Sequence, residues 1–308
     1  MPRKPHLSIV IPVYDEESNI LPLVSRLTPV LRTNIPNHEI IFVDDGSRDK
    51  TWEMILRAKK LTPAVHGIRL RRNAGKAAAL RAGFSHARAD WIMTMDGDLQ
   101  DQPEGIPAFW QLRNSYDLIV GWKIQRHDPW HKTIPSRFFN WLTRAVTGVR
   151  VHDSNCGMKL LTKEAANNLW LYGELHRYMP AIAHFEGYRV GEVKVAHAPR
   201  KAGRSKYGIL RLVWGLFDLF TISFLMTFGK RPLHLFGSIG VGLCLAGMLT
   251  GGYLSWQWLT GVPIGNRPLL MLAILLVVLG FSFFSLGLLG ELINLRSIRE
   301  EIPIRETL

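Results

Sequence analysis

Over its first hundred residues the chain alternates short apolar runs with longer stretches of helical period. Leu7-Ser8-Ile9-Val10-Ile11-Pro12-Val13-Tyr14 suits a buried strand. Asp15-Glu16-Glu17-Ser18-Asn19 then opens a helical stretch through Leu31, with carboxylates placed where a helix N-terminus favours them. Glu39 to Val43 is a second strand, closed by Asp44-Asp45-Gly46-Ser47, and a helix follows to about Leu61. Val65 to Leu70 is a third strand, ending at Arg71-Arg72-Asn73-Ala74-Gly75-Lys76 before another helix, and Asp90 to Met95 is the fourth. Helices between strands imply right-handed crossovers and an α/β fold with a mostly parallel sheet.

The fourth strand is the most informative. Ile92-Met93-Thr94-Met95 runs into Asp96-Gly97-Asp98-Leu99-Gln100. This places two carboxylates at i and i+2, and then an amide, at the mouth of the sheet, where α/β folds bind ligands. Such hard oxygen donors suit Mg²⁺ or Mn²⁺, which in turn hold phosphate oxygens. A solvated Asp-Gly-Asp turn is the plainer reading of the same letters. Polar clusters at the carboxyl ends of all four strands favour the crevice, since in a parallel sheet those ends converge.

Pro12-Val13-Tyr14-Asp15-Glu16, Asp44-Asp45-Gly46-Ser47, Arg72-Asn73-Ala74-Gly75-Lys76 and Asp96-Gly97-Asp98-Leu99-Gln100 resemble the motifs of family 2 glycosyltransferases of GT-A fold. Asp153-Ser154-Asn155-Cys156-Gly157-Met158-Lys159 and Gly203-Arg204-Ser205-Lys206-Tyr207-Gly208 are similar to two later blocks of its polyprenyl-phosphate branch, typified by dolichol-phosphate mannosyltransferase and bacterial undecaprenyl-phosphate glucosyltransferases. The likeness covers roughly residues 6 to 208. Asp15 stands where that family usually has Asn, and Lys123 and Lys159 where Arg is common. These departures blur the donor sugar and the grip on phosphate, and leave the fold expectation intact.

Further on, Leu235 to Leu259 and Pro268 to Gly290 contain no Asp, Glu, Lys or Arg. Each exceeds the roughly 20 residues that a helix needs to span hydrocarbon. Lys230-Arg231 precede the first, Arg296, Arg299 and Arg305 follow the second, and the link carries only Arg267. The positive-inside rule therefore predicts a multi-pass hairpin in the inner (cytoplasmic) membrane, with catalytic domain and C-terminus cytoplasmic. Ile209 to Phe228 is apolar but interrupted by Arg211, Gly215 and Asp218 at i, i+4 and i+7, with Trp214, Phe217, Phe220 and Phe224 elsewhere, and reads as one or two interfacial helices. The expected organisation is a GT-A catalytic domain over 1–208, juxtamembrane helices over 209–232, two transmembrane helices over 233–292 and a tail over 293–308. Met1-Pro2-Arg3-Lys4-Pro5 leads straight into a strand rather than an apolar leader, so no secretory signal is expected.

A formal net charge of +13 invites a nucleic-acid reading. Yet Arg200, Lys201, Arg204, Lys206, Arg211, Lys230 and Arg231 gather beside the apolar segments. An anionic leaflet attracts each such residue by about 1 kcal/mol, so membrane lipids and a phosphorylated lipid are the expected partners and nucleic acid is not. With Cys156 in the catalytic domain and Cys244 inside a span, no disulfide is expected. The glycine-rich spans would permit close helix packing, compatible with a homo-oligomer.

The resemblance implies a nucleotide-sugar donor, with a UDP-sugar favoured by the bacterial, two-span architecture. Pro12, Tyr14, Glu16 and Asp44 would line its base and ribose pocket, with Arg72, Lys76 and Asp96 nearby. Asp98 is expected to coordinate the metal first, with Asp96 and Gln100 completing the site, and the ion would stabilise the leaving diphosphate. A polyprenyl phosphate is already an anionic nucleophile at neutral pH and needs no general base. It needs cations instead: Lys123, Arg126, Arg137, Lys159, Arg204, Ser205 and Lys206 are the candidates, with Arg126 and Arg137 nearest the reacting centre. Asp45 is expected in an Asx-type turn with Gly46. A processive polysaccharide synthase remains the enzymatic alternative, although no Gln-x-x-Arg-Trp motif occurs. A non-catalytic membrane scaffold is the other.

Overall fold

The computed structural model describes residues 4–123, 142–196, 210–229, 231–265 and 267–297. They form two compact units, 1–219 and 220–308.

In the first unit the apolar runs become β1 (Leu7–Val13), β2 (His38–Asp44), β3 (Val65–Arg69) and β4 (Trp91–Thr94). Between them run α1 (Ile20–Asn34), α2 (Thr51–Leu61) and α3 (Lys76–His86). The sheet continues through β5 (Leu118–Lys123), β6 (Lys159–Thr162) and β7 (Val190–Val195), in the order β3-β2-β1-β4-β6-β5-β7. Only β6 runs against its neighbours, pairing antiparallel with both β4 and β5. The chain proceeds from β1 outward to β2 and β3, then returns to place β4 on the other side of β1. That reversal is the switch point at which open α/β sheets bind ligands.

Register fixes what meets at this point. Val13, Asp44 and Arg69 stand level at the ends of β1, β2 and β3. β4 ends lower, with Thr94 opposite Val10, so the next residues emerge beside the last turn of β1. The reversed strand begins where the others end: Lys159 sits between Thr94 and Val120, and residues 155–159 are thereby delivered to the same crevice. α3 lies directly on β1, because a Cβ at Gly83 would come within 2.2 Å of Val10 Cγ1. Lys76, the first residue of that helix, lines the same cavity as Pro12 of β1. Ile9, Ile11, Leu23, Leu27, Leu31, Phe42 and Phe84 fill the core between sheet and helices.

The helix over Leu210–Phe228 is continuous. Its Gly215 and Leu219 are buried, and Gly215 O accepts the Tyr178 hydroxyl at 3.1 Å, while Leu216 and Phe217 are exposed. Within the second unit, helices Pro232–Leu259 and Pro268–Ser297 pack as a hairpin. Glycines let their backbones meet: a Cβ at Gly240 would lie 2.6 Å from Gly280 O, and one at Gly247 2.9 Å from Ala273 O. Mean hydropathies are 1.7 over Pro232–Leu259 and 2.8 over Pro268–Ile293, and only 17% and 11% of their most apolar stretches are buried. A core helix of a soluble protein hides its apolar surface; these expose theirs.

Candidate active site

Three loops leave the carboxyl ends of β1, β2 and β3, and they are tied to one another before any ligand arrives. Asp15, in the left-handed region at φ +54, receives the Arg48 N–H on Oδ1 at 2.8 Å, and its own N–H donates to Ser47 Oγ at 3.0 Å. Asn and Asp tolerate that backbone region better than other side chains. Glu17 Oε2 takes the Lys50 N–H at 3.0 Å. The acidic run is therefore not the first turn of α1, which begins only at Ile20; it grips the loop after β2 instead. Glu16 is half-buried and accepts the Asn19 side-chain amide.

Asp44 closes its own turn, accepting the Ser47 N–H on Oδ1 at 2.8 Å. Its Oδ2 is buried and accepts no hydrogen bond; the Arg69 guanidinium stands 3.3 Å away, out of line for one, and over the Trp52 ring. Asp45 does not make the local Asx turn expected of it. Its two oxygens accept the N–H groups of Ala74 and Gly75 at 2.7 and 2.9 Å, thirty residues on, because the loop after β3 lies against it. Gly46 (φ +72) permits this approach, since a Cβ there would sit 2.6 Å from the carbonyl carbon of Arg72. The Arg72 side chain is exposed, and Tyr14 and Pro12 are half-buried at the end of β1.

Asp96, Asp98 and Gln100 are all partly buried on the loop after β4. Lys76 Nζ lies 2.5 Å from Asp96 Oδ1. Burial would raise the Asp96 carboxyl, but Lys76, reinforced by Lys123 and Lys159, holds it below the usual carboxylate range. Burial opposes the Lys76 charge too; Asp96, Asp101 and Asp98 together overcome it and raise that amine. Asp98 Oδ1 accepts the Gln100 N–H at 3.2 Å across a left-handed Leu99 (φ +62).

The sequence reading missed Asp101. It is 1% exposed, accepts the Asp96 N–H on Oδ2 at 3.2 Å, and pairs through Oδ1 with Lys123 at 3.1 Å. Burial works against the Lys123 ammonium, but Asp101 outweighs it and raises that amine. An acid directly after the Asp-Gly-Asp-Leu-Gln run was the available signal. Lys123, expected to hold acceptor phosphate, is thus already compensated. Lys159 is 3% exposed, donates to Cys156 O, and is pulled down to about 8, chiefly by burial. Burial likewise pushes the Cys156 thiol up to about 12. Gly157 packs against the carboxylates: a Cβ there would lie 2.5 Å from Asp101 Oδ2 and 2.6 Å from Asp96 Cγ. Arg126, Arg137, Arg204, Ser205 and Lys206 lie outside the described residues.

Among the described residues, no three His, Cys, Asp or Glu side chains converge as a closed metal site. The donor set still fits a hard divalent cation: Asp96 and Asp98 supply carboxylate oxygens, and Mg²⁺-type ions use one or two carboxylates plus substrate phosphates.

Fold and crevice together define a sugar-nucleotide-type α/β transferase of GT-A architecture. The model of glycosyl transferase family 2 matches residues 8–170, and the chain belongs to that family. It is 37% identical to a dodecaprenyl-phosphate galacturonate synthase of Rhizobium johnstonii over 305 residues, 96% of this chain and 89% of that one. It is 35% identical to an undecaprenyl-phosphate 4-deoxy-4-formamido-L-arabinose transferase of Pseudomonas paraeruginosa, over 92% of this chain and 84% of that one. Among solved structures, glucosyl-3-phosphoglycerate synthase of Mycobacterium tuberculosis, in complex with Mn²⁺ and UDP-glucose, shares the fold. It superposes with a TM-score of 0.55 at 17% identity, covering 71% of this chain and 79% of that one.

Proposed function

We propose that this protein transfers a sugar, with inversion, from a nucleotide-diphosphate sugar to a polyprenyl phosphate at the cytoplasmic membrane face. The observation that carries this reading is the placement of Asp96 and Asp98 at the switch point, with Lys76 bonded to the first of them. Likeness along nearly the whole chain to two transferases named for polyprenyl phosphates supports the acceptor class.

The division of labour follows from charge. Pro12, Tyr14, Glu16 and Arg72, around the strand end whose turn Asp44 closes, would line the base and ribose pocket. Lys76 neutralises charge beside the diphosphate. Asp98, with Asp96 and Gln100, would hold Mg²⁺ or Mn²⁺, which as a Lewis acid stabilises the departing nucleotide diphosphate. Arg126, Arg137, Arg204, Ser205 and Lys206 would hold the acceptor phosphate, since Lys123 is already paired with Asp101 and the buried Lys159 donates to Cys156 O. No side chain need remove a proton, because a phosphate monoester is already anionic at neutral pH. Attack opposite the leaving group turns an α-linked donor into a β-linked lipid phosphate. Helices Pro232–Leu259 and Pro268–Ile293 anchor the enzyme as a membrane hairpin, with Arg231 and the basic tail on the cytoplasmic side. A UDP-sugar is the favoured donor.

The test is a donor panel: full-length protein, undecaprenyl phosphate and Mn²⁺ or Mg²⁺ with UDP- and GDP-sugars, scoring nucleotide release and lipid product. Wild type should give both with one donor, and Asp98→Asn should lose at least about 100-fold. Unchanged transfer by Asp98→Asn, or nucleotide release without lipid product, would overturn the reading.

A further inference from the structure

A small cavity lies at the crevice, lined by Lys76 and Asp96 together with Thr94, Cys156, Lys159 and His176. His176 lies in a short 3₁₀ turn, Leu175–Tyr178, which continues into the helix Met179–Phe185 and is pinned by the Tyr178 hydroxyl on Gly215 O. The imidazole is 8% exposed, and its Nδ1 is buried without a hydrogen-bond partner. A buried ring nitrogen left unpaired is costly, and polar atoms in such positions are nearly always satisfied by something. No described side chain or backbone group supplies that partner, and His176 lines a cavity that Asp96 also lines.

The chemistry of the missing partner can be narrowed. Burial, and then the Lys76, Arg177 and Lys159 cations, push the imidazole down to about 2, so the ring is neutral at any working pH. A neutral imidazole offers one donor and one acceptor and no charge. The neighbouring ammonium groups are the better match for phosphate oxygens, and a neutral ring matches a neutral polar group. Resting on the donor reading above, we propose that His176 is a specificity-determining contact for the sugar of the donor, its Nδ1 hydrogen-bonding a sugar hydroxyl that enters the cavity it lines with Asp96.

Binding separates the sugar from the nucleotide. Full-length wild type, His176→Asn and His176→Phe are titrated with UDP and with a panel of UDP-sugars, all with Mn²⁺. Asn places its amide close to where Nδ1 stands, whereas Phe keeps the ring and removes the polarity. The expected result is UDP affinity within about twofold of wild type in both variants. UDP-sugar affinity should fall about tenfold or more in His176→Phe and less in His176→Asn, the size of a hydrogen bond lost from a buried site. The His176→Phe defect should disappear with one monodeoxy form of the same UDP-sugar. An equal loss for UDP and UDP-sugar would assign His176 to the diphosphate end and overturn the proposal. Unchanged binding by all variants would leave a cavity holding structural water only, which also overturns it. Wild type that binds neither UDP nor any UDP-sugar would bring down the donor reading and this contact with it. A failure of transfer to lipid alone would leave the contact standing.

Discussion

Lys76 Nζ and Asp96 Oδ1 stand 2.5 Å apart, one from the first residue of α3 and the other from the loop after β4. Each is about one-third exposed, so the pair is reachable by a ligand. The ammonium stabilises the carboxylate while competing with any cation for its oxygens. Lys76→Met keeps the aliphatic stem and removes the charge. Affinity for Mn²⁺ in the absence of nucleotide should rise a few-fold, and turnover with a nucleotide sugar should fall about 100-fold. Manganese titration and steady-state rates on the same preparation check both signs.

Asp101 and Lys123 form the deepest ion pair near the site, with Asp101 fully enclosed. Removing one member strands the other. Asp101→Ala should cost about 3–5 kcal/mol, and adding Lys123→Met should restore most of that loss. Thermal melts of the full-length protein, followed by tryptophan fluorescence, measure the recovery. A double variant no more stable than Asp101→Ala would show that Asp101 matters through the Asp96 N–H instead.

Lys159 carries a pH signature. Its folded pKa is about 8, below the 10.5 of the unconstrained amine. Between these values the unfolded chain binds the proton and the folded chain does not, so stability rises with pH across that window. Lys159→Met should flatten this rise and raise the melting temperature at pH 7. A wild-type curve flat from pH 8 to 10, measured against the variant, would contradict this account.

The hairpin glycines divide into two kinds. Gly240 and Gly247 touch the opposite helix, whereas nothing stands within 4 Å of a Cβ at Gly242, Gly251 or Gly252. Gly240→Leu should therefore disrupt the hairpin, and Gly242→Leu should leave the monomer intact. Cross-linking in detergent and in vesicles reports on association: a homo-oligomer packed through the open glycines would be lost in Gly242→Leu.

The strand–helix alternation was legible because buried strands and amphipathic helices have different apolar periods, and β1 to β4 fall where those periods place them. The place of the Asp-Gly-Asp-Leu-Gln run at the end of β4 was legible because an apolar strand run leads straight into it. Asp15 to Glu17 were misplaced into a helix because acidic residues suit a first turn and an inter-loop clasp equally well. Asp45 was read as a local turn because Asx turns are visible in sequence, whereas its partners at 74 and 75 exist only once β2 and β3 pair.

Sequence by itself determined the fold class, the two apolar helices and which charged residues stand at the strand ends, since each depends on local pattern and residue type. Tertiary structure decided the wiring. It made β6 the reversed strand that carries Lys159 and Gly157 to the carboxyl ends. It paired Lys76 with Asp96 and Lys123 with Asp101, and left His176 Nδ1 buried without a partner. Those contacts join residues 20 to 65 positions apart along the chain. They are set by sheet order and close packing, which no single stretch of sequence encodes.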